Sequence, residues 1–303
     1  MFKHSNFIEF TRDFGSDDQC YAYLCKIKWK KGYQCRKCKH TECIKGRTWY
    51  YRKCQKCHYD ESCTSNTLFH KLKFSITKAF WIVHQIGTMK KGMSTMEIAR
   101  QFGIHQQTAW YFKRKIQSAI QNGDHTKLKE NVEVDETAIG GYQQGAPGRT
   151  HGKKQMVQVA VEMDYSTNKT NDKAMIKNAG ATIIEGYSSE NLAQGIEKMV
   201  DQSAIIITDE WSAYPGAVGE RMHIQFKSAN GENFQELHWH IFNLKNWIRG
   251  THHKVAPFHL QKYLDEYHYR FNRRNNIRSC PSRLITRLMR SPKLAYKQAK
   301  GTK

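Results

Sequence analysis

The chain has 303 residues and a formal net charge of +22, with 49 Lys and Arg residues against 27 Asp and Glu residues. This length suggests two or three domains, and the excess of positive charge predicts a polyanionic partner. Hydrophobic residues make up 39% of the chain and aromatic residues 12%, which excludes wholesale disorder caused by low hydrophobicity. No stretch approaches the roughly 20 apolar residues that span a bilayer, and the start lacks a secretion signal. We therefore expect a soluble, cytoplasmic protein with no membrane partner.

The first predicted element is a small metal-binding domain. Eight of the nine cysteines lie in the first 63 residues, which in an unsecreted chain favours metal ligation over disulfides. Two Cys-x2-Cys pairs, Cys35 with Cys38 and Cys54 with Cys57, are separated by fifteen residues. This is the spacing of a zinc ribbon, in which four thiolates hold one structural Zn²⁺ and leave no position open for catalysis. We assign residues 1–68 to an N-terminal segment that contains this ribbon.

Residues 69–125 are predicted to form a helical DNA-binding region. After a helix over residues 72–86, Ser94 begins a second helix with a capping-box pattern and Gly103 ends it. With the helix that follows, this is the layout of a helix-turn-helix motif; the alternative is an ordinary helical hairpin with a solvated basic face. The second helix of such a motif enters the major groove, where its first side chains read base edges and later cations contact phosphates. The candidates are Gln106 and Gln107 for bases and Lys113, Arg114 and Lys115 for phosphates.

We predict a further domain over residues 126–275. Its first residues have the alternating pattern of a β-strand. Val132 and Val134 alternate with Glu133 and Asp135, which directs the valines to a core and the acids to the other face. A polar, glycine-rich loop follows, and then two more strands, a helix and a short apolar strand. This order predicts an α/β fold with a mixed sheet.

Two aspartates of this domain lie at the ends of apolar strands. Asp135 is near the end of the first strand, and Asp209 directly follows the last one. Such carboxylates can hold hard divalent cations, because the core fixes the backbone beneath them. Considered singly, Asp135 is a polar-face strand residue and Asp209 a turn or N-cap residue. Together, in a basic chain with a predicted DNA-binding region, they favour a site for Mg²⁺ or Mn²⁺.

A helix predicted over residues 236–249 supplies further candidates. At about 100° per residue, His238 and Lys245 project within about 20° of each other, whereas Asn243 points to the opposite side. His238 and Lys245 can therefore serve one site. The alternative for His238 is a helix histidine whose ring is satisfied by water.

Arginines accumulate towards the C-terminus. A helix that begins near Pro257 ends in an arginine-rich run, and residues 276–303 continue it as a predicted basic tail. So many cations with so few acids are expected to follow a phosphate backbone instead of forming only a solvated face. The cations assigned to DNA in this half of the chain are Arg249, Arg270, Arg273 and Arg274.

These motifs resemble those of the zinc-ribbon-bearing bacterial insertion-sequence transposases of the ISXO type, and the resemblance covers nearly the whole chain. It rests on the ribbon cysteines and on residues 133–137, 139–141, 209–214, 243–245, 250–253 and 259–274. The resemblance implies a ribonuclease H-like catalytic domain whose metal-binding triad begins with Asp135 and Asp209. Lys245 matches the lysine that follows the triad by seven residues, and His238 stands where relatives have Glu, Asn or His. Glu236, Asn243 and Glu266 remain alternative third ligands.

The activity implied by the resemblance is metal-dependent cleavage of an insertion sequence's ends, followed by strand transfer to target DNA. Two Mg²⁺ or Mn²⁺ ions at Asp135, Asp209 and His238 would serve both steps. The ribbon and the helix-turn-helix would bind the terminal inverted repeats of nucleoid DNA. Because two ends must be joined together, we expect at least a homodimer on double-stranded DNA. The alternatives are a non-enzymatic DNA-binding regulator, a nuclease of the same fold that cuts without joining, and a decayed copy without activity.

Overall fold

The computed structural model divides the chain into two compact units. Unit 1 comprises Met1–Gly123 together with Asn276–Lys303, and unit 2 comprises Asp124–Asn275. The glycine-rich loop predicted after the first sheet strand falls largely on residues 141–153, outside the described part of the chain. No helix in the described part is long and apolar enough to cross a membrane. The structure describes residues 6–121, 126–140, 154–166, 174–252 and 255–301.

The N-terminal part of unit 1 combines a small antiparallel sheet with helices. The sheet has the order β1-β2-β3. Its strands are β1 (Cys43–Lys45), β2 (Tyr51–Cys54) and β3 (Asp60–Ser62). The helices are α1 (Phe7–Asp13), α2 (Asp17–Lys28), α3 (Ile76–Thr88), α4 (Thr95–Phe102) and α5 (Gln106–Gln121).

The ends of α4 agree with the prediction from its sequence. The Ser94 side chain accepts a hydrogen bond from the backbone N–H of Glu97, and Gly103 ends the helix at a φ of 59°. A left-handed residue at this position favours glycine, since it has no Cβ to clash. The preceding helix α3 begins at Ile76, later than the predicted start at residue 72. Ser75 is its N-cap, because the Ser75 side chain accepts a hydrogen bond from Lys78 N.

Unit 2 contains a five-stranded mixed sheet with the order β6-β5-β4-β7-β8. β5 pairs antiparallel with both β4 and β6, whereas β7 pairs parallel with β4 and β8 parallel with β7. The strands are β4 (Asn131–Ile139), β5 (Gln155–Asp164), β6 (Met175–Ile184), β7 (Ile205–Thr208) and β8 (His223–Gln225). The helices are α6 (Ser189–Met199), α7 (Tyr214–Ala217), α8 (Gln235–Thr251) and α9 (Pro257–Phe271). This strand order is that of ribonuclease H, and the predicted α/β class is confirmed.

The two faces of this sheet build separate cores, which explains the alternation in β4. Val132 and Val134 are buried against α6 and α7 on one face. On the other face, the apolar side chains of β5 pack against α8 and α9. Asp135 is opposite Val159 of β5, which belongs to the core beneath α8 and α9. The acidic face of β4 therefore lies on the side that α8 covers.

The residues after unit 2 return to unit 1 as two helices, α10 (Cys280–Arg290) and α11 (Tyr296–Lys300). The prediction of a basic tail over residues 276–303 is corrected. Leu284, Ile285 and Leu288 are fully buried, and α10 packs against α3 and α5. Arg287 donates a hydrogen bond of 3.1 Å to the carbonyl of Ile120. The arginine content of this segment obscured its apolar stripe, which has ordinary helical spacing.

Candidate metal centre and nucleic-acid interface

Two adjacent parallel strands bring Asp135 and Asp209 to the same part of the sheet. β4 and β7 pair in parallel, with Glu133 in register with Ile207. β7 ends at Thr208, so Asp209 directly follows the strand that pairs with β4. Residues in register on neighbouring strands are about 5 Å apart and project from the same face. Asp135, two residues beyond Glu133, lies on the face of the sheet that carries α8, and Asp209 follows the neighbouring strand.

Each of these carboxylates is oriented by the backbone that follows it. Asp135 Oδ1 accepts a hydrogen bond of 2.7 Å from Glu136 N, and Asp209 Oδ1 accepts one of 3.1 Å from Trp211 N. The Asp209 carbonyl also accepts hydrogen bonds from Thr208 Oγ1 and Gln225 Nε2. Short local hydrogen bonds of this kind fix the side chain relative to the strand end. In both residues the second carboxylate oxygen, Oδ2, takes no part in them.

His238 lies directly against this site. Its Nε2 atom is 3.2 Å from Asp135 Oδ2, and both side chains are about one-third exposed. The residue is on α8, whose stripe of Leu237, Ile241 and Leu244 is buried in the core beneath. Packing of that stripe therefore determines where the imidazole projects. The structure thus brings His238 of α8 into contact with Asp135 of β4.

The donor set of this site suits a divalent cation. Two carboxylates offer the oxygen ligands that Mg²⁺ and Mn²⁺ prefer, and a neutral imidazole is accepted by Mn²⁺ more readily than by Mg²⁺. The three side chains do not form a closed cage, since in the described part of the chain only the ribbon cysteines form a group of three or more such donors within 4.8 Å of one another.

A cluster of cations lies beside the carboxylates. Lys245 is half-buried on α8, and its burial, together with the nearby Arg249 and Lys154, lowers its pKa, while Asp135 acts in the opposite direction. These effects place Lys245 within electrostatic range of Asp135. Lys154 was not predicted as a site residue. Its only signal in the sequence is its position at the end of the glycine-rich loop.

A buried tyrosine links the two aspartate motifs. Tyr214 of α7 is fully buried, and its hydroxyl donates a hydrogen bond to a Glu136 carboxylate oxygen, with the carbonyl oxygen of Val134 3.3 Å away. Burial raises the pKa of Tyr214, and the negative charges of Glu136, Asp135 and Asp209 raise it further. The phenol therefore stays protonated and acts as a donor. Its partners flank Asp135, so the segment after Asp209 is attached to the strand that carries Asp135. The sequence motif contained both residues but gave no indication of this contact.

A third carboxylate lies deeper on the same strand face. Glu133 is 5% exposed, and its Oε1 atom accepts a hydrogen bond of 2.8 Å from Tyr165. Burial raises the pKa of Glu133, and the Tyr165 hydrogen bond and the neighbouring His238 oppose this shift. The interior of the site is thus lined by an acid that the sequence predicted only as a polar-face residue.

The alternative third ligands have different surroundings. The Glu266 carboxylate is fully buried and forms a 2.8 Å ion pair with Arg270 on its own helix. Asn243 is exposed on α8, on the side that the helical spacing predicts to be opposite to His238. Glu236 is half-buried and lies within electrostatic range of Glu133. Among these residues and His238, a direct contact with Asp135 is observed for His238.

The four ribbon cysteines form the predicted cluster. Cys35 Sγ is 3.5 Å from Cys57 Sγ, and Cys38 Sγ is 3.6 Å from Cys54 Sγ. All four sulfur atoms lie within 4.8 Å of one another. This geometry matches the sulfur separations of a tetrahedral zinc site with Zn–S bonds of about 2.3 Å. The two knuckles can therefore hold a structural Zn²⁺.

Comparison with known proteins gives a family match for the sheet unit. Residues 127–272, nearly the whole of unit 2, match the model of the ISXO2-like transposase domain. Unit 2 is therefore similar to an ISXO2-like transposase domain. A comparison with curated proteins gives no match. The pre-cleavage Mos1 transpososome is similar at 12% identity and a TM-score of 0.30, covering 67% of this chain and 76% of that one. The Mos1 strand transfer complex is similar at 11% identity and a TM-score of 0.27, covering 67% of this chain and 75% of that one.

The DNA contacts predicted for unit 1 are only partly exposed. Gln107 is exposed, whereas Gln106 donates a hydrogen bond of 3.2 Å to Thr95 Oγ1. The three cations assigned to phosphates are buried: Lys113 donates to the Met93 carbonyl, Arg114 to Gln117 Oε1 and Lys115 to the His70 carbonyl. Because each of these cations donates its hydrogen bond within unit 1, the prediction that they contact DNA phosphates is wrong for all three.

Three arginines of unit 2 also bind groups within their own unit. Arg270 is 6% exposed and paired with Glu266. Arg273 donates to the Tyr269 carbonyl, and Arg274 donates to carbonyl oxygens of β6 and α9. These contacts hold the end of α9 against the sheet. Of the four arginines assigned to DNA in this half of the chain, Arg249 is the exposed one.

Proposed function

We propose that this transposase cleaves the ends of an insertion sequence and joins them to target DNA at Asp135, Asp209 and His238. The observation that supports the proposal is the contact of 3.2 Å between His238 Nε2 and Asp135 Oδ2, next to the parallel pairing of β4 with β7, the strand that Asp209 follows. Carboxylates from two strands and a ligand from a helix are the elements of a two-cation phosphodiester site. A DNA-binding regulator would have no need of this arrangement.

Each residue of the site has a defined task in this proposal. Asp135, Asp209 and His238 would hold the divalent cations in this proposal. When bound there, Mg²⁺ or Mn²⁺ supplies Lewis-acid stabilisation of the charge that develops on the phosphate oxygens. The ammonium of Lys245 binds a non-bridging phosphate oxygen, and Arg249 and Lys154 extend the positive field around the scissile phosphate.

The two steps exchange phosphodiester bonds without an energy-rich cofactor. In the first step a water oxygen bonds to phosphorus, the bond from phosphorus to the 3′ oxygen breaks, and the 3′ oxygen takes up a proton. In the second step that 3′ hydroxyl loses its proton, bonds to a target phosphorus and displaces a target 3′ oxygen. One bond forms and one breaks in each step, so the joining reaction is close to balanced and needs no ATP.

Unit 1 would recognise the terminal inverted repeats in this scheme. Its zinc-bound ribbon and the exposed side of α5 around Gln107 are the candidate surfaces. Two copies of the chain, each holding one end, would act together on double-stranded DNA. The reaction would then take place on nucleoid DNA in a bacterial cytoplasm.

The test is cleavage of a duplex that carries the inverted repeat bordering the gene. We expect Asp135→Asn to abolish nicking with Mg²⁺ or Mn²⁺ while the affinity for the duplex stays within about twofold. Asp164→Asn is the matched control, since this exposed acid lies at the end of neighbouring strand β5. Unchanged nicking by Asp135→Asn would refute the assignment.

The same assay separates the alternative functions. Strand-transfer products on a plasmid target are expected from the unsubstituted protein. A nuclease without joining activity would give cuts alone, and a regulator would bind the duplex without cutting it.

A further inference from the structure

One side of α8 combines catalytic, aromatic and cationic residues. At about 100° per residue, His238, Phe242, Lys245 and Arg249 project within about 60° of one another. This set is referred to as the α8 stripe. Phe242 and Arg249 are exposed, while His238 and Lys245 are half-buried. An apolar ring is thus placed between the proposed metal ligand and the proposed phosphate-binding residues.

Phe242 and its neighbour Trp239 form a paired aromatic surface. Trp239 is 54% exposed and Phe242 is 53% exposed. Their ring centroids are 5.9 Å apart with an interplanar angle of 89°, so the edge of one ring meets the face of the other. Single exposed apolar residues are ordinary on protein surfaces. Here two large rings contact each other close to His238. Each ring restricts the side-chain rotation of the other, so together they form a rigid surface.

We propose that Trp239 and Phe242 form a stacking platform for unpaired DNA bases next to the phosphodiester bond that is cut. This inference rests on the proposed function and adds a base-binding subsite to it. Aromatic rings bind bases of any sequence, because every base presents a flat π-face. Bases displaced from the duplex onto the platform leave their backbone accessible from the side of His238.

The charges around the platform favour nucleic acid over a protein partner. Lys245 and Arg249 lie on the same stripe as Phe242, so any partner that covers the ring also meets two cations. An apolar protein surface would bury those cations without compensation, which is costly. A DNA strand complements both kinds of residue, since its phosphates pair with the cations while its bases stack on the rings.

The experiment compares two fluorescein-labelled probes of equal length and sequence, measured by anisotropy without divalent metal. One probe is a fully paired duplex, and the other has three unpaired thymines at its centre. The unsubstituted full-length protein is expected to bind the bulged probe about tenfold or more tightly than the paired probe. We expect Phe242→Ala and Trp239→Ala each to reduce this preference about tenfold, with little change in the affinity for the paired probe.

Two further variants make the comparison specific. Phe242→Leu keeps apolar bulk without a π-face and is expected to lose the preference as Phe242→Ala does, whereas Phe242→Tyr keeps it. Phe258→Ala is the matched control, because this ring is 54% exposed on α9 and already lies against Lys262. Circular dichroism should be unchanged in all variants, since exposed side chains contribute little to folding.

The platform is overturned if the variants bind both probes in the same ratio as the unsubstituted protein. It is also overturned if they weaken both probes equally, or if they shift a dimer to a monomer in sedimentation without changing the ratio, since the patch would then bind a second copy. Failure of the proposed function would appear elsewhere, as absent cleavage of the end-bearing duplex by the unsubstituted protein.

Discussion

Replacing Arg270 by Met should lower the stability of unit 2 while leaving the affinity for DNA nearly unchanged. Arg270 is 6% exposed and Glu266 is fully buried, with 2.8 Å between Arg270 Nη1 and Glu266 Oε1. Removing one partner of a buried pair leaves the other charge uncompensated, which costs about 3–5 kcal/mol. At about 2–4 °C per kcal/mol for a domain of this size, we expect the melting temperature of unit 2 to fall by about 6–20 °C.

Differential scanning calorimetry of the full chain measures this change. Exposed Arg249→Met is the control and should shift the transition by no more than about 2 °C. The double variant Arg270→Met with Glu266→Leu should recover most of the loss, since apolar replacement of a whole buried pair is often neutral. The reasoning fails if Arg270→Met melts like the control while its affinity for duplex DNA drops, because the guanidinium would then bind phosphate.

Three further predictions concern other buried groups. Burial lowers the pKa of Lys115 to about 8, so between pH 8 and about 10 the folded chain binds fewer protons than the unfolded chain. Unfolding in urea should therefore show unit 1 gaining about 1–3 kcal/mol over this pH range, and Lys115→Met should remove the gain. Cys54→Ser should release the zinc and unfold the ribbon, as judged by metal content and thiol labelling, while Cys43→Ser keeps one zinc per chain. Tyr214→Phe should cost unit 2 about 1–3 kcal/mol in thermal unfolding, since the buried hydroxyl no longer donates to Glu136, and an unchanged melting temperature would contradict the contact.

Part of the geometry of the proposed site could be predicted because it follows from periodic signals. Alternation in β4 directed Asp135 away from the valine core, and helical spacing put His238 and Lys245 on one side of α8. Neither signal depends on distant residues. The parallel pairing of β4 with β7 does depend on them, and it was accessible only through the resemblance of the two aspartate motifs to a known family.

The cations were harder to interpret because their use depends on partners far away in the chain. Lys115 donates to a carbonyl 45 positions earlier, and Arg274 reaches the backbone of β6. Composition cannot distinguish such a buried cation from one that faces DNA, since both have the same residue type and the same basic neighbours. The contact between Tyr214 and Glu136 was missed for the same reason: each lies in a recognised motif, but their meeting is a property of the folded sheet.

The discontinuous make-up of unit 1 has a consequence for how the protein is made. Helix α10 belongs to the core of unit 1, yet it is encoded after the whole of unit 2. On the ribosome, the strands and helices of unit 2 are all synthesised before α10 appears, so the later-encoded unit can finish folding first. A gene copy that loses its final codons would yield a chain with a complete sheet unit and an exposed apolar groove between α3 and α5. Such a product would be a substrate for proteases and chaperones, so small deletions at that end of the gene would lower the amount of folded protein.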